Sequence, residues 1–221
     1  MWVKICGVRD VPTALRVAAF SPQAIGLNFY ERSPRWIDVA AAAEVVARLP
    51  PEIEPVGVFV NHSVAQIDAI CRTCRLNTIQ LHGDEPAEFA ACLRPYRVIR
   101  AFRVLADGID QIGEYLRECA THQISLAGCL VEPRVIDVYG GTGQTAPWDA
   151  LKRNYNFSAW PPLILAGGLT PENVSDAIRA VGPWGVDVAS GVESAPGCKD
   201  DTKVLQFIEN ARRAFIVNAA Q

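Results

Sequence analysis

The feature that most narrows what this chain can fold into is a repeated order: a short apolar run followed by an amphipathic stretch, eight times over. The runs are WVKIC (2–6), AIGLNF (24–29), VGVFV (56–60), TIQL (78–81), VIRAF (98–102), SLAGCLV (125–131), PLILAGG (162–168) and GVDVAS (185–190). Each is too short for a helix and rich in β-branched or other apolar residues, the composition of buried strands. Between them lie the helical patterns VPTALRVAAF (11–20), IDVAAAAEVVARL (37–49), VAQIDAICRTC (64–74) and PAEFAACL (86–93). The second half repeats the scheme with DGIDQIGEYLREC (107–119), PWDALKRN (147–154), TPENVSDAIRAV (170–181) and DDTKVLQFIENARRAF (200–215). Strands alternating with helices build a parallel sheet, because each crossover returns the chain to the same edge. Eight such units in 221 residues predict an α/β fold, one single-domain (β/α)8 TIM barrel over residues 1–221. An open doubly wound sheet is the alternative, yet no G-x-G-x-x-G follows the first run. No Pro/Gly/Ser-rich linker or low-complexity tract divides the chain.

Composition excludes several classes of function. With 21 basic and 24 acidic residues the net charge is -3, so a nucleic-acid binder relying on a basic surface is excluded. A chain that is 50% hydrophobic is not disordered. No apolar run approaches the roughly 20 residues of a membrane span. The opening MWVKICGVRD lacks the charged-then-apolar order of a secretory signal, and the expectation is a soluble cytoplasmic protein. The seven scattered cysteines fit reduced thiols rather than a disulfide framework. Cys71 and Cys74 have the spacing of a metal or redox pair, but no second pair completes a zinc set. They also fall late in a helical pattern, where a thioredoxin-type motif does not sit, so both are expected to be structural.

Barrel enzymes carry their sites at the carboxyl ends of the strands, so polar residues and glycines just after each run are the candidates. These are Cys6 and Gly7, Asn28 to Arg35, Asn61, Gln80 to Gly83, Arg103, Glu132, Gly167 and Gly168, Asp187, and Ser190 and Gly191. Gly167-Gly168 before the expected helix start Pro171-Glu172-Asn173, and Ser190-Gly191 after run eight, would expose backbone N–H groups to an anion. The loops after strands seven and eight are the usual phosphate site of such barrels. Tyr139-Gly140-Gly141-Thr142-Gly143 lies in a loop of about 15 residues, a length that is usually functional. Its glycines could hinge over a ligand. The Cys6 thiol is a base or nucleophile only where its surroundings favour ionisation. His82 is the histidine placed to line a pocket, although its position favours a structural hydrogen-bonding role over that one; His62 and His122 are dispersed.

Six segments in order, Lys4-Ile5-Cys6-Gly7, Val56 to Asn61, Gln80 to Glu85, Gly140 to Gly143, Leu165 to Val174 and Asp187 to Glu193, closely resemble the phosphoribosylanthranilate isomerase family. The likeness runs from residue 4 to Lys199-Asp200. It implies a barrel that carries out the Amadori rearrangement of N-(5-phosphoribosyl)anthranilate in tryptophan biosynthesis, without cofactor or metal, as a monomer or homodimer. By the same resemblance Cys6 serves as general base, and Arg35 and Asp187 contact the anthranilate carboxylate and amine. His82 and Gly141 join them in substrate binding, and Gly167, Gly168, Ser190 and Gly191 hold the phosphate. The sequence departs from the family at the acid, where an aspartate is usual and Glu132 stands. Glu132 is the expected acid, Asp137 the competing one, and weak or lost activity the third possibility. The rivals are a related sugar-phosphate isomerase, whose first aspartate would stand where Cys6 does, and a noncatalytic barrel that binds a phosphoribosyl ligand.

Overall fold

The computed structural model describes residues 1–105, 108–133 and 148–219. Eight parallel strands close into a barrel in sequence order. They are β1 (Trp2–Cys6), β2 (Ala24–Asn28), β3 (Glu54–Phe59), β4 (Thr78–Leu81), β5 (Arg97–Val104), β6 (Gly128–Pro133), β7 (Leu163–Leu165) and β8 (Gly185–Val188). The helices α1 (Val11–Ala19), α2 (Val39–Arg48), α3 (Val64–Cys74), α4 (Ala87–Ala91), α5 (Asp110–Thr121), α6 (Trp148–Asn154), α7 (Val174–Val181) and α8 (Asp201–Ala219) follow them in turn. The side chains of Asp10, Asp38 and Ser63 cap α1, α2 and α3, each accepting from a backbone N–H that the helix leaves free. Cys71 and Cys74 are buried in α3, unlinked, as their apolar spacing implies.

Strand side chains alternate between two cores. Outward residues such as Val3, Ile5, Ile25, Leu27, Ile79 and Val186 pack under the helices. The inward set begins with an apolar plug of Trp2, Ala24, Val56, Ile99, Leu130 and Ile164. One or two steps further along β1, β4, β5, β6 and β8 the inward residues become polar: Lys4 and Cys6, Gln80, Arg103, Glu132 and Asp187. The lower half of the barrel is therefore sealed by hydrocarbon, and chemistry can occur only at the upper mouth.

Several boundaries differ from the sequence expectation. The sixth strand is Gly128–Pro133 and not 125–131, because its parallel register with β5 runs from Ile99 opposite Gly128 to Val104 opposite Pro133. Arg103 and Glu132 accordingly face each other inside the sheet instead of following it. β7 ends at Leu165, since Gly167 and Gly168 have φ of +74° and +68°, which a strand cannot hold. Pro171-Glu172-Asn173 forms a turn, and α7 starts at Val174. A short 3₁₀ turn at Ser190–Val192 and a two-strand hairpin, β9 (Glu193–Ala195) with β10 (Cys198–Lys199), follow β8 and lacked any apolar signal.

Candidate active site

At the end of β1, Cys6 is nearly buried and shares the inward face with Lys4. Gly26 on β2 leaves room for the thiol: a Cβ there would stand 2.7 Å from Cys6 Sγ. Lys4 has no exposed surface, and its Nζ lies 2.6 Å from Asp187 Oδ1 on β8. Burial pulls the Lys4 ammonium down, but Asp187 and Cys6 together outweigh it and the lysine stays charged. Burial also pushes the Cys6 thiol up; Lys4 and Lys199 oppose that rise and Asp187 adds to it. The thiol is thus protonated at rest beside a cation able to stabilise its thiolate.

Across the mouth, Glu132 on β6 meets His82, which follows β4, with 3.0 Å between His82 Nε2 and Glu132 Oε1. Arg103 Nε donates to the same oxygen at 3.2 Å, and Arg103 Nη2 donates to the His82 carbonyl at 3.0 Å. Burial raises the Glu132 carboxyl, but His82 and Arg103 together hold it below the ordinary carboxylate value. Two donors on one oxygen thus outweigh the effect of burial.

Arg35 reaches the rim from the β2 loop, but as half of a fork: Nε and Nη2 donate to Glu193 at 2.8 and 2.7 Å. Glu193 Oε1 also accepts from Lys199 Nζ at 2.8 Å, and Lys199 binds the Ala189 carbonyl. Gly7, at φ +80°, passes beneath Arg35, where a Cβ would approach the Arg35 Cδ to 2.6 Å. The bidentate contact fixes the guanidinium plane and leaves Nη1 for a ligand carboxylate.

The glycine loops meet as expected. Gly191 lies so close to the Leu169 carbonyl that a Cβ would stand 1.8 Å from it, which locks the loops after β7 and β8 together. Asn173 braces the first loop by donating to the Gly168 carbonyl at 2.9 Å and accepting from the Thr170 N–H at 2.8 Å. The N–H groups of Gly168, Ser190 and Gly191 donate to no acceptor among the described residues. Gly141 and Asp137 lie outside the described residues.

Sequence reasoning found Cys6, His82, Glu132, Asp187 and the glycines but missed Lys4, Glu193 and Lys199. A signal for Lys4 existed: it and Asp187 are opposite charges placed mid-run in the first and last strands, which closure of a barrel makes neighbours. Nothing in the local sequence marks Glu193 and Lys199, because the hairpin that joins them has no periodicity.

The fold and site together define a (β/α)8 barrel with a buried thiol, a carboxyl paired to an imidazole and a junction of two glycine loops at one mouth. The family model for N-(5'-phosphoribosyl)anthranilate isomerase matches residues 3–210. A protein of that name from Geotalea daltonii is 43% identical over 214 residues, covering 96% of this chain and 97% of its own. The crystal structure of phosphoribosyl anthranilate isomerase from Thermotoga maritima superposes with a TM-score of 0.84 at 35% identity, covering 96% of this chain and 99% of that one. A structure of such an isomerase in complex with reduced 1-(o-carboxyphenylamino)-1-deoxyribulose 5-phosphate gives a TM-score of 0.79 at 34% identity, with 96% and 99% covered. The chain belongs to the N-(5'-phosphoribosyl)anthranilate isomerase family.

Proposed function

We propose that this chain converts N-(5-phosphoribosyl)anthranilate to 1-(2-carboxyphenylamino)-1-deoxyribulose 5-phosphate, a step of tryptophan biosynthesis, with Glu132 as general acid and Cys6 as general base. The observation that carries the reading is the placement of a thiol beside a buried ammonium at the same barrel mouth as a carboxyl on the β6 end. Glu132 protonates the ring oxygen as the bond from C1 to that oxygen breaks, and the anthranilate nitrogen supplies the electron pair that forms an iminium. The Cys6 thiolate then removes the proton from C2, and the resulting enaminol returns to the ketoamine. Lys4 favours the thiolate that this second step needs.

The phosphate rests on the N–H groups of Gly168, Ser190 and Gly191, with Gly167 turning the chain; the anthranilate carboxylate meets the free edge of Arg35, and Asp187 faces the amine. His82 lies on the substrate side of the acid, and Gly141, outside the described residues, is a substrate contact by the resemblance. Glutamate in place of aspartate adds one methylene, about 1.5 Å of reach, while the reference pKa values differ only slightly, about 4.3 against 3.9. The test is conversion of phosphoribosylanthranilate by purified protein, followed as loss of anthranilate-type fluorescence. Binding of the reduced product analogue without turnover would instead establish the noncatalytic barrel.

A further inference from the structure

His82 is held at both ring nitrogens. Its Nε2 faces Glu132 Oε1 at 3.0 Å, and its Nδ1 lies 2.8 Å from Nε2 of Gln80, whose side chain is buried inside the barrel. In this orientation the Gln80 amide donates to a neutral ring, which donates in turn to the carboxyl. The Gln80 Oε1 is buried and has no partner. Turning the amide over would present that oxygen to Nδ1–H of a protonated ring, so both protonation states of the imidazole find a hydrogen-bonded setting. Glu132 is equally asymmetric: His82 and Arg103 both address Oε1, and Oε2 makes no hydrogen bond to a described residue.

We propose that His82 is a positioning residue of the acid: its ring and the Glu132 carboxyl hold one proton between them, which Glu132 delivers from Oε2 to the ring oxygen of the substrate. The inference rests on the function proposed above. In the one-proton state the pair is either imidazolium beside carboxylate or imidazole beside carboxylic acid; exchange with solvent at the open mouth interconverts the two, the ring giving up its Nδ1 proton and Oε2 taking one up while Nε2–H still donates to Oε1, and the second form is the donor. When the bond from C1 to the ring oxygen breaks, the Oε2 proton passes to that oxygen, and the carboxylate left behind keeps its hydrogen bonds from His82 and Arg103. His82 and Arg103 favour the carboxylate and burial favours the acid, so the proton belongs to the pair and its loss is an event of the pair and not of a lone carboxyl under Arg103. The charged groups facing the pair are Arg103 from β5, bonded to Glu132, and Asp84 and Arg100, which line the same cavity as His82; Cys6 and Lys4 from β1 and Asp187 from β8 hold inward positions elsewhere around the barrel, and Gly167, against Glu132 after β7, carries no charge.

The test is the pH profile of kcat for the parent and His82→Gln. The alkaline limb should move down by about one pH unit or more in the variant, with KM within about threefold, since the remaining carboxyl loses its proton at lower pH. A ring that merely stabilises the carboxylate would give the reverse, a limb moving to higher pH when it is removed, and a ring that only contacts substrate would raise KM with the limb unmoved; either result overturns the proposal. A second measurement does not need turnover. The nitrogen-15 resonance of His82 Nε2 should move in Glu132→Gln, which replaces a carboxyl partner by an uncharged amide, and an unmoved resonance also overturns it. A parent that shows this coupling but no turnover refutes the proposed function and leaves the shared proton standing.

Discussion

At the scale of single residues, the site separates two proton-transfer groups by their surroundings. Cys6 is a buried thiol next to a cation, and Glu132 a carboxyl next to an imidazole and a guanidinium. Cys6→Ser should abolish most turnover while leaving binding of the reduced product analogue within a fewfold of the parent, because a hydroxyl is far harder to ionise than a thiol. Calorimetric titration beside the fluorescence assay checks both halves, and near-normal turnover removes Cys6 from the mechanism. Glu132→Gln keeps the volume and the acceptor for His82 but cannot give up an acidic proton, so a loss of about 10²-fold to 10⁴-fold in kcat is expected. Asp137→Asn should change kcat little; the opposite order of effects moves the acid to the loop. Gly26→Ala tests the fit of the thiol, since its Cβ would stand 2.7 Å from Sγ. The sulfur must move, and a kcat reduced by about tenfold or more with an unchanged circular dichroism spectrum is the expected result.

Elements supply what residues cannot. The proposed phosphate cradle is a junction of two loops, held by Gly191 against Leu169 and by Asn173 across its own turn. A glycine fits where no Cβ can, and the N–H groups of Gly168, Ser190 and Gly191 are free among the described residues. Gly191→Ala would drive a methyl into the Leu169 carbonyl and pry the two loops apart. It should raise KM for the phosphorylated substrate and weaken inhibition by inorganic phosphate by a similar factor, with a smaller effect on kcat. A crystal grown in sulfate should carry the anion against Gly168, Ser190 and Gly191; a reproducible anion elsewhere with this place empty would refute the assignment. The sequence had marked these glycines, because φ above zero and close approach leave a compositional trace. It could not show that α7 starts only at Val174, since Pro171 is as compatible with a turn as with a first helical residue.

Over the whole molecule, the barrel closes where β8 pairs with β1, and the buried Lys4–Asp187 pair joins residues 183 positions apart at that seam. Trp2 stacks on Trp184 at the same seam, with ring centroids 5.4 Å apart. Lys4→Met alone strands the Asp187 carboxylate in the interior and should cost about 3–5 kcal/mol of stability, seen as a lower denaturation midpoint. Lys4→Met with Asp187→Leu should recover most of it, because an uncharged pair incurs no desolvation penalty. The second seam, Arg35–Glu193–Lys199, makes stability depend on pH. Burial raises the Glu193 carboxyl, but Arg35 and Lys199 hold it below its ordinary value of 4.5 in the folded state. A depressed folded pKa gives stability that is present above the unfolded value and lost as pH falls through the folded one. Thermal unfolding should therefore show the parent well above Glu193→Gln at neutral pH, with the gap closing as pH drops below about 4.5; a constant gap would mean the carboxylate charge contributes nothing.

The sequence by itself determined the number and order of the strands and helices, the polar face of each strand end and the identity of most candidate groups. Those features are local: period-two and helical patterns, caps and glycines are set by a residue and its near neighbours. The strand at 128–133 was misplaced from sequence because its ends are set by register against β5, a long-range pairing that hydrophobicity does not encode. The charge network was hidden for the same reason. Lys4 meets Asp187, Arg35 meets Glu193 and His82 meets Glu132 across 183, 158 and 50 positions. Only the tertiary fold brings such partners together, because pairing across these separations depends on strand register and barrel closure and not on near neighbours in the chain.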